Sequence, residues 1–105
     1  MRRIGFAILI VALGGMLSGF VSAEQRRNMQ KSPEELERLA CDQLWYLREK
    51  IRADGGICPR GEREQRAFFR NRRCLSPDEG ILPSQVRDYL AAVRQVEALK
   101  GCQPG

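Results

Sequence analysis

Four cysteines, a run of clustered arginines and the absence of histidine set the chemistry open to this 105-residue chain. Without histidine there is no Ser–His or Cys–His nucleophile, no imidazole base and no imidazole metal ligand. The cysteines are Cys41, Cys58, Cys74 and Cys102. No two of them form a C-x-x-C pair, so neither a thioredoxin-like redox couple nor a zinc knuckle has the right spacing. An even cysteine count in a short chain points instead to two disulfides. The arginines cluster in "RGEREQRAFFRNRR", where Arg60, Arg63, Arg66, Arg70, Arg72 and Arg73 face only Glu62 and Glu64. Guanidinium forks pair with phosphate and carboxylate. Arg63, Arg66, Arg70 and Arg73 are therefore the candidate anion-binding residues, with lipopolysaccharide phosphates, anionic lipid heads or peptidoglycan carboxylates as ligands. The competing reading is a solvated face with internal Arg–Glu pairs. Asp42, Glu34 and Glu37 could be paired catalytic carboxylates, but carboxylates at helical spacing are usually solvated surface. No enzymatic activity, metal, cofactor or nucleic-acid partner is expected.

"CDQLWYLREKIRADGGIC" holds the only tryptophan between two cysteines. Trp45 follows Cys41 by one helical turn, which places it beside a Cys41 disulfide as core; an exposed binding anchor is the other reading. Arg48 falls between the leucine stripe and Trp45, so it is expected to be partly buried and to need an acidic partner. Glu97 is the best candidate, because it breaks the apolar stripe of its own helix; Asp88 and Glu79 are alternatives. Phe68 and Phe69 anchor the arginine segment.

The elements that position these residues read as helices. Ser32, Pro33 and Glu35 make a capping box, and Gly55-Gly56 end the helix behind it, predicted over 33–53. Its stripe is Leu36, Ala40, Leu44, Leu47 and Ile51. A short helix is predicted over 62–71. A third, capped by Ser84 and closed by Gly101, carries Val86, Tyr89, Leu90, Val93 and Val96 on one face. No strand alternation or repeat appears. The fold class is all-α, a small three-helix domain tied by two disulfides.

The N-terminus sets the compartment. Two arginines, an apolar run and Val21-Ser22-Ala23 have the layout of a secretory signal peptide over 1–23. Residues 24–31 read as a flexible polar leader, and 32–105 as a single domain. The leader takes two arginines and no acid from a net charge of +5, leaving a mildly basic mature chain. A chain this small buries only about 60–65% of its unfolded surface, and exported domains of this size rely on disulfides. Four cysteines allow three pairings. Antiparallel first and third helices bring Cys102 near Cys41, while Cys58 and Cys74 flank the middle helix. The nested set, Cys41–Cys102 and Cys58–Cys74, is favoured.

The blocks "CDQLWYLREKIRADGGIC", "FFRNRRC" and "ILPSQVRDYLAAVRQVEALKGC" resemble the small cysteine-bearing exported proteins related to the YARHG domain. Cys41, Leu44, Trp45, Arg48, Ile51, Gly56 and Cys58 carry the resemblance in the first block. Phe69, Asn71 and Cys74 carry it in the second. Pro83, Ser84, Arg87, Val93, Glu97, Gly101 and Cys102 carry it in the third. The namesake Tyr-Ala-Arg-His-Gly segment falls on Arg52-Ala53-Asp54-Gly55-Gly56, where Ala53 and Gly56 agree. The resemblance implies an exported helical module of no assigned molecular function, sometimes attached to enzymes or receptors. The expected protein is a periplasmic or secreted interaction module that binds or inhibits an envelope protein. The alternative is a binder of anionic envelope polymer or lipid through the arginines. No membrane span is expected once the signal is removed.

Overall fold

A computed structural model describes residues 21–103. The expected signal peptide lies, up to residue 20, outside the described residues. Among the described residues five α-helices and one 3-10 turn follow one another: α1 (Ala23–Asn28), α2 (Pro33–Glu37), α3 (Cys41–Asp54), α4 (Glu62–Phe68), the 3-10 turn Glu79–Ile81, and α5 (Ser84–Leu99). Among the described residues, extended pairing is limited to an isolated parallel bridge between Ile57 and Ser76. The fold is all-α, with α3 and α5 as its long members.

The predicted helix over 33–53 is two helices. Ser32 does cap its start: the hydroxyl accepts from the Glu35 N–H, and the Glu35 carboxylate accepts from the Ser32 N–H, both at 3.3 Å. The helix then stops at Glu37. Ala40 is extended (φ −71°, ψ 161°), and its N–H donates to the Gln43 side chain at 2.9 Å, which starts α3. The break turns α2 away from the axis of α3, so that Leu36 packs against Val93 and Val96 of α5. Ala40, placed in the apolar stripe by the sequence, is exposed. Two further boundaries differ. The middle helix ends at Phe68 rather than Asn71, and the N-cap of α5 is Pro83, with Ser84 as its first residue.

Residues 24–31, expected as a flexible leader, contain most of α1, and α1 is docked. Ser22 caps it, accepting from the Gln25 N–H at 3.1 Å. Gln25 donates to the Ile51 carbonyl at 2.8 Å, and Asn28 donates to the Asp54 carboxylate at 2.9 Å. These amides fasten α1 to the last turn of α3, through a carbonyl that also accepts from the Gly55 N–H and through a side-chain carboxylate. Val21, read as part of a cleavage site, is buried with Ile51, Ile57, Leu82, Val86 and Leu90. A second cluster holds Leu36, Leu44, Val93 and Val96, and Leu47 and Tyr89 pack against both. Tyr89 also donates its hydroxyl to the Lys31 carbonyl at 2.7 Å, tying the α1–α2 connection to α5.

The disulfides are Cys41–Cys102 and Cys58–Cys74, the nested pair. The first joins the start of α3 to the chain just beyond α5, so the two helices run antiparallel. Gly101 permits this connection with φ +71°. The second closes the lobe that contains α4. Closing 61 and 16 residues restricts the unfolded chain by about 4 and about 3 kcal/mol in the loop-entropy model. Gly56 (φ +84°) starts that lobe, and a Cβ there would lie 2.6 Å from the Leu75 side chain. Its carbonyl accepts from the Leu75 N–H at 2.6 Å and the Ser76 N–H at 3.2 Å.

Candidate functional site

The lobe between Cys58 and Cys74 is fastened to α3 through one tryptophan. Trp45 is 9% exposed. Its indole N–H donates to the buried Glu64 carboxylate at 3.1 Å. The Arg63 guanidinium lies over the ring at 3.6 Å from its centroid. Phe68 packs beside it, the rings tilted by 43° with centroids 6.2 Å apart. A buried indole wants an acceptor for its N–H, and Glu64 of α4 supplies it. Trp45 is thus the anchor of the lobe from within, and the exposed-anchor reading does not describe it. It also lines a cavity of about 400 Å3 together with Cys41 and Cys102, beside the disulfide.

The four candidate arginines do not form one cluster. Arg63 is committed to Trp45 and approaches Asp42 at 4.0 Å. Arg66 reaches Glu62 at 3.9 Å on the same helix. Because α4 ends at Phe68, Arg70 lies outside the helix predicted over 62–71. Arg70 and Arg73 are exposed on the chain leading to Cys74 and make no ion pair among the described residues. Arg72 turns inward, donating to the Phe68 carbonyl at 2.9 Å and to Asp54 at 3.2 Å. Phe69 is buried, while Phe68 is half-buried and stacks against Tyr46 with centroids 5.2 Å apart. Tyr46 itself is 52% exposed.

The acids Glu34, Glu37 and Asp42 are exposed and are not brought together in any cleft. Among the described residues no three His, Cys, Asp or Glu side chains gather as a metal site requires.

A second set of charges lies between α3, the 3-10 turn and α5. Arg48 is buried, and its Nε stands 3.2 Å from Glu97, the partner expected for it, and 3.5 Å from Glu49. Arg52 donates to Glu49 at 2.6 Å and to Glu79 at 2.7 Å. Arg94 takes Glu79 in a two-pronged grip at 2.8 and 2.6 Å. The hydrogen bonds from Arg94, opposed by burial and joined by those from Arg52, hold the Glu79 carboxyl down at about 2. The same bonds raise Arg94 further. Glu97 goes the other way: burial outweighs the pull of Arg48 and Arg94 and pushes its carboxyl above the usual range. A cavity of about 370 Å3 opens beside this set, lined by Arg48, Arg60, Arg94 and Glu97, with Ala98, Cys102 and Gln103.

A family model, the YARHG domain, matches residues 18–98. The chain belongs to that family. No curated protein and no solved structure matches it significantly. In this YARHG domain, the segment Arg52–Gly56 runs through the end of α3, so Arg52 of that segment holds the buried ion network and Gly56 makes the turn into the lobe. The two disulfides and the family fit an extracytoplasmic location. Among the described residues no helix is long and apolar enough to cross a membrane. Sequence reasoning reached the Arg48–Glu97 pair but missed Arg52, Glu49 and Arg94. The available signal was the spacing: Arg48, Glu49 and Arg52 share one side of α3 within a turn, which is too much charge for a helix packed from two sides.

Proposed function

We propose that this YARHG domain is an exported, non-enzymatic interaction module that docks on an envelope protein. Inhibition of an envelope hydrolase is one concrete form of that role. The observation that carries the reading is the aromatic–arginine face around Tyr46. Tyr46 is half exposed, stacks on Phe68, and borders a shallow cavity of about 400 Å3 lined by Leu39, Leu47, Gln43, Asp42, Lys31 and Lys50. Arg63, fixed on Trp45, lies on the same joint between α3 and α4. Tyrosine and arginine are the residues that most often carry the energy of a protein interface. Here they sit on a frame fixed by two disulfides, so little ordering has to be lost on binding. The test is capture from envelope extract with the oxidised protein and with Tyr46→Ser. One protein held by the parent at low and moderate salt, and lost from the variant, is the expected result. A partner held equally by both overturns this docking face.

The second reading, an anionic envelope polymer or lipid bound through the arginines, is supported by Arg70 and Arg73, which have no ion pair among the described residues, and by the long 3.9 Å approach of Arg66. Such binding falls steeply with salt, and an apolar interface does not. Replacing Arg66, Arg70 and Arg73 by serine is expected to abolish polymer retention and to spare the Tyr46 face.

A further inference from the structure

We propose that the segment 71–75 docks in the substrate groove of an arginine-selective serine protease and inhibits it, with Arg73 in the acidic pocket of that protease. This deepens the hydrolase-inhibitor form of the proposed function and rests on that reading, but it uses another surface than the Tyr46 face. Residues 72–75 run without helix, turn or bend. Alternate residues along this run are tethered. Arg72 donates to the Phe68 carbonyl at 2.9 Å and to Asp54 at 3.2 Å. Cys74 is bonded to Cys58. Ser76 pairs with Ile57, and its carbonyl accepts from the Cys58 N–H at 2.8 Å. The residues between them, Asn71, Arg73 and Leu75, are exposed, Leu75 to 79%. One side of the segment is thus pinned at every second residue, and the other is presented to solvent, as the period of an extended chain requires.

The main chain points the same way. The backbone N–H and C=O groups of residues 71–74 make no hydrogen bond among the described residues. A groove that takes a peptide as an added strand bonds to such groups and reads alternate side chains. Serine proteases with an acidic primary pocket select a basic side chain at the bond they attack. Arg72 is engaged by Asp54, and Arg70 lies at a bend outside the straight run. Arg73 is exposed, has no ion pair among the described residues, and shares its side of the run with exposed Leu75. A polyanion would take Arg70 and Arg73 alike and would need no register. Inhibition follows from the tethers. The protease nucleophile attacks the Arg73 carbonyl carbon, the bond to the Cys74 nitrogen breaks, and that nitrogen leaves as an amine with a proton from the base of the protease. The amine then stays beside the acyl–protease, held by the disulfide to Cys58 and by the Leu75 N–H on the Gly56 carbonyl. On the acyl side, Arg72 is held by Asp54. Kept in place, the amine re-forms the peptide bond faster than water cleaves the acyl group. A loop fixed in its bound shape also loses little freedom on docking.

The experiment measures trypsin activity on a small arginine anilide in the presence of the oxidised protein. Chymotrypsin, whose pocket is apolar, is the control protease. The expected result is saturable, competitive inhibition of trypsin and none of chymotrypsin. Arg73→Ser, at an exposed position, is expected to weaken inhibition about hundredfold with unchanged melting. Arg73→Lys keeps the charge and is expected to keep most of the inhibition. Arg70→Ser and Tyr46→Ser are expected to inhibit like the parent. Failure of this segment and failure of the Tyr46 face are therefore read separately. Slow cleavage is expected to add one water at the bond between Arg73 and Cys74, with the two pieces joined until reduction. The proposal is overturned by the absence of trypsin inhibition, even where an envelope protein is still captured through Tyr46. It is equally overturned by an Arg73→Ser variant that inhibits like the parent, by an equal loss in Arg70→Ser, or by cleavage at that bond as fast as in the reduced chain.

Discussion

Arg48 and Arg52 on α3 are 5% and 2% exposed, and Arg52 meets carboxylates at 2.6 and 2.7 Å. On the lobe closed by Cys58–Cys74, Arg66 is 69% exposed and its carboxylate lies 3.9 Å away. The same side chain serves opposite ends in these two regions. Between α3 and α5 the arginines replace part of the hydrophobic core, and each needs a partner because its charge has left water. On the lobe Arg66, Arg70 and Arg73 stay hydrated, the long Arg66 pair contributes little, and these three remain available to something outside the molecule. Arg63 lies between the two cases: it is 58% exposed, yet held flat on Trp45. A small domain can therefore spend some arginines on its own cohesion and leave others as surface, and position along α3 or α4 decides which.

The largest expected effect breaks the buried side. Arg52→Met removes the hydrogen-bonding partner of Glu49, which stays buried with only the longer Arg48 contact, and should lower stability in urea unfolding by about 3–5 kcal/mol. A loss below about 1 kcal/mol would show that the network does not hold the helices together.

The next effect sharpens the comparison by pH. Glu79 titrates at about 2 in the folded protein, against an ordinary value of 4.5. Its contribution is fully present above the ordinary value and is lost as pH falls through the folded one. Glu97 acts in the opposite direction, since its raised carboxyl gains by protonation. With Glu79 about one-fifth exposed, the acid loss assignable to it is on the order of 1–2 kcal/mol. Unfolding measured from pH ~5 to pH ~2 should show that loss in the parent and not in Glu79→Gln; parallel curves would remove Glu79 as the cause.

The smallest effect is on the lobe. Arg66→Ser with Arg70→Ser should leave stability within about 0.5 kcal/mol. A change above ~1 kcal/mol would make these arginines structural and erase the distinction between the two regions.

The docking of α1 was illegible from sequence for a definite reason. Its hydrogen bonds to α3 are made by Gln25 and Asn28, and contact through polar amides leaves no apolar period to detect. The break at Ala40 was hidden for a related reason. Leu36, Leu44 and Ile51 are all buried, as a continuous stripe requires, but the chain reaches that arrangement by bending at a residue with good helix propensity. Arg48 and Glu97 could be found because each interrupts an apolar face. Arg52 and Arg94 look like ordinary surface charges until Glu79 is placed between them.

The sequence by itself determined the all-α class, the even cysteine set, the capping box at Ser32 and the need of Arg48 for an acid, and it favoured the nested pairing that the structure shows. Each follows from local periodicity, turn chemistry or the cost of an isolated buried charge. Only the tertiary structure decided that Trp45 fastens the lobe from inside, that Glu79 gathers Arg52 and Arg94, and that the four candidate arginines separate. Those outcomes depend on which residues far apart in the chain come within hydrogen-bond reach, and residue types along the chain do not encode that distance.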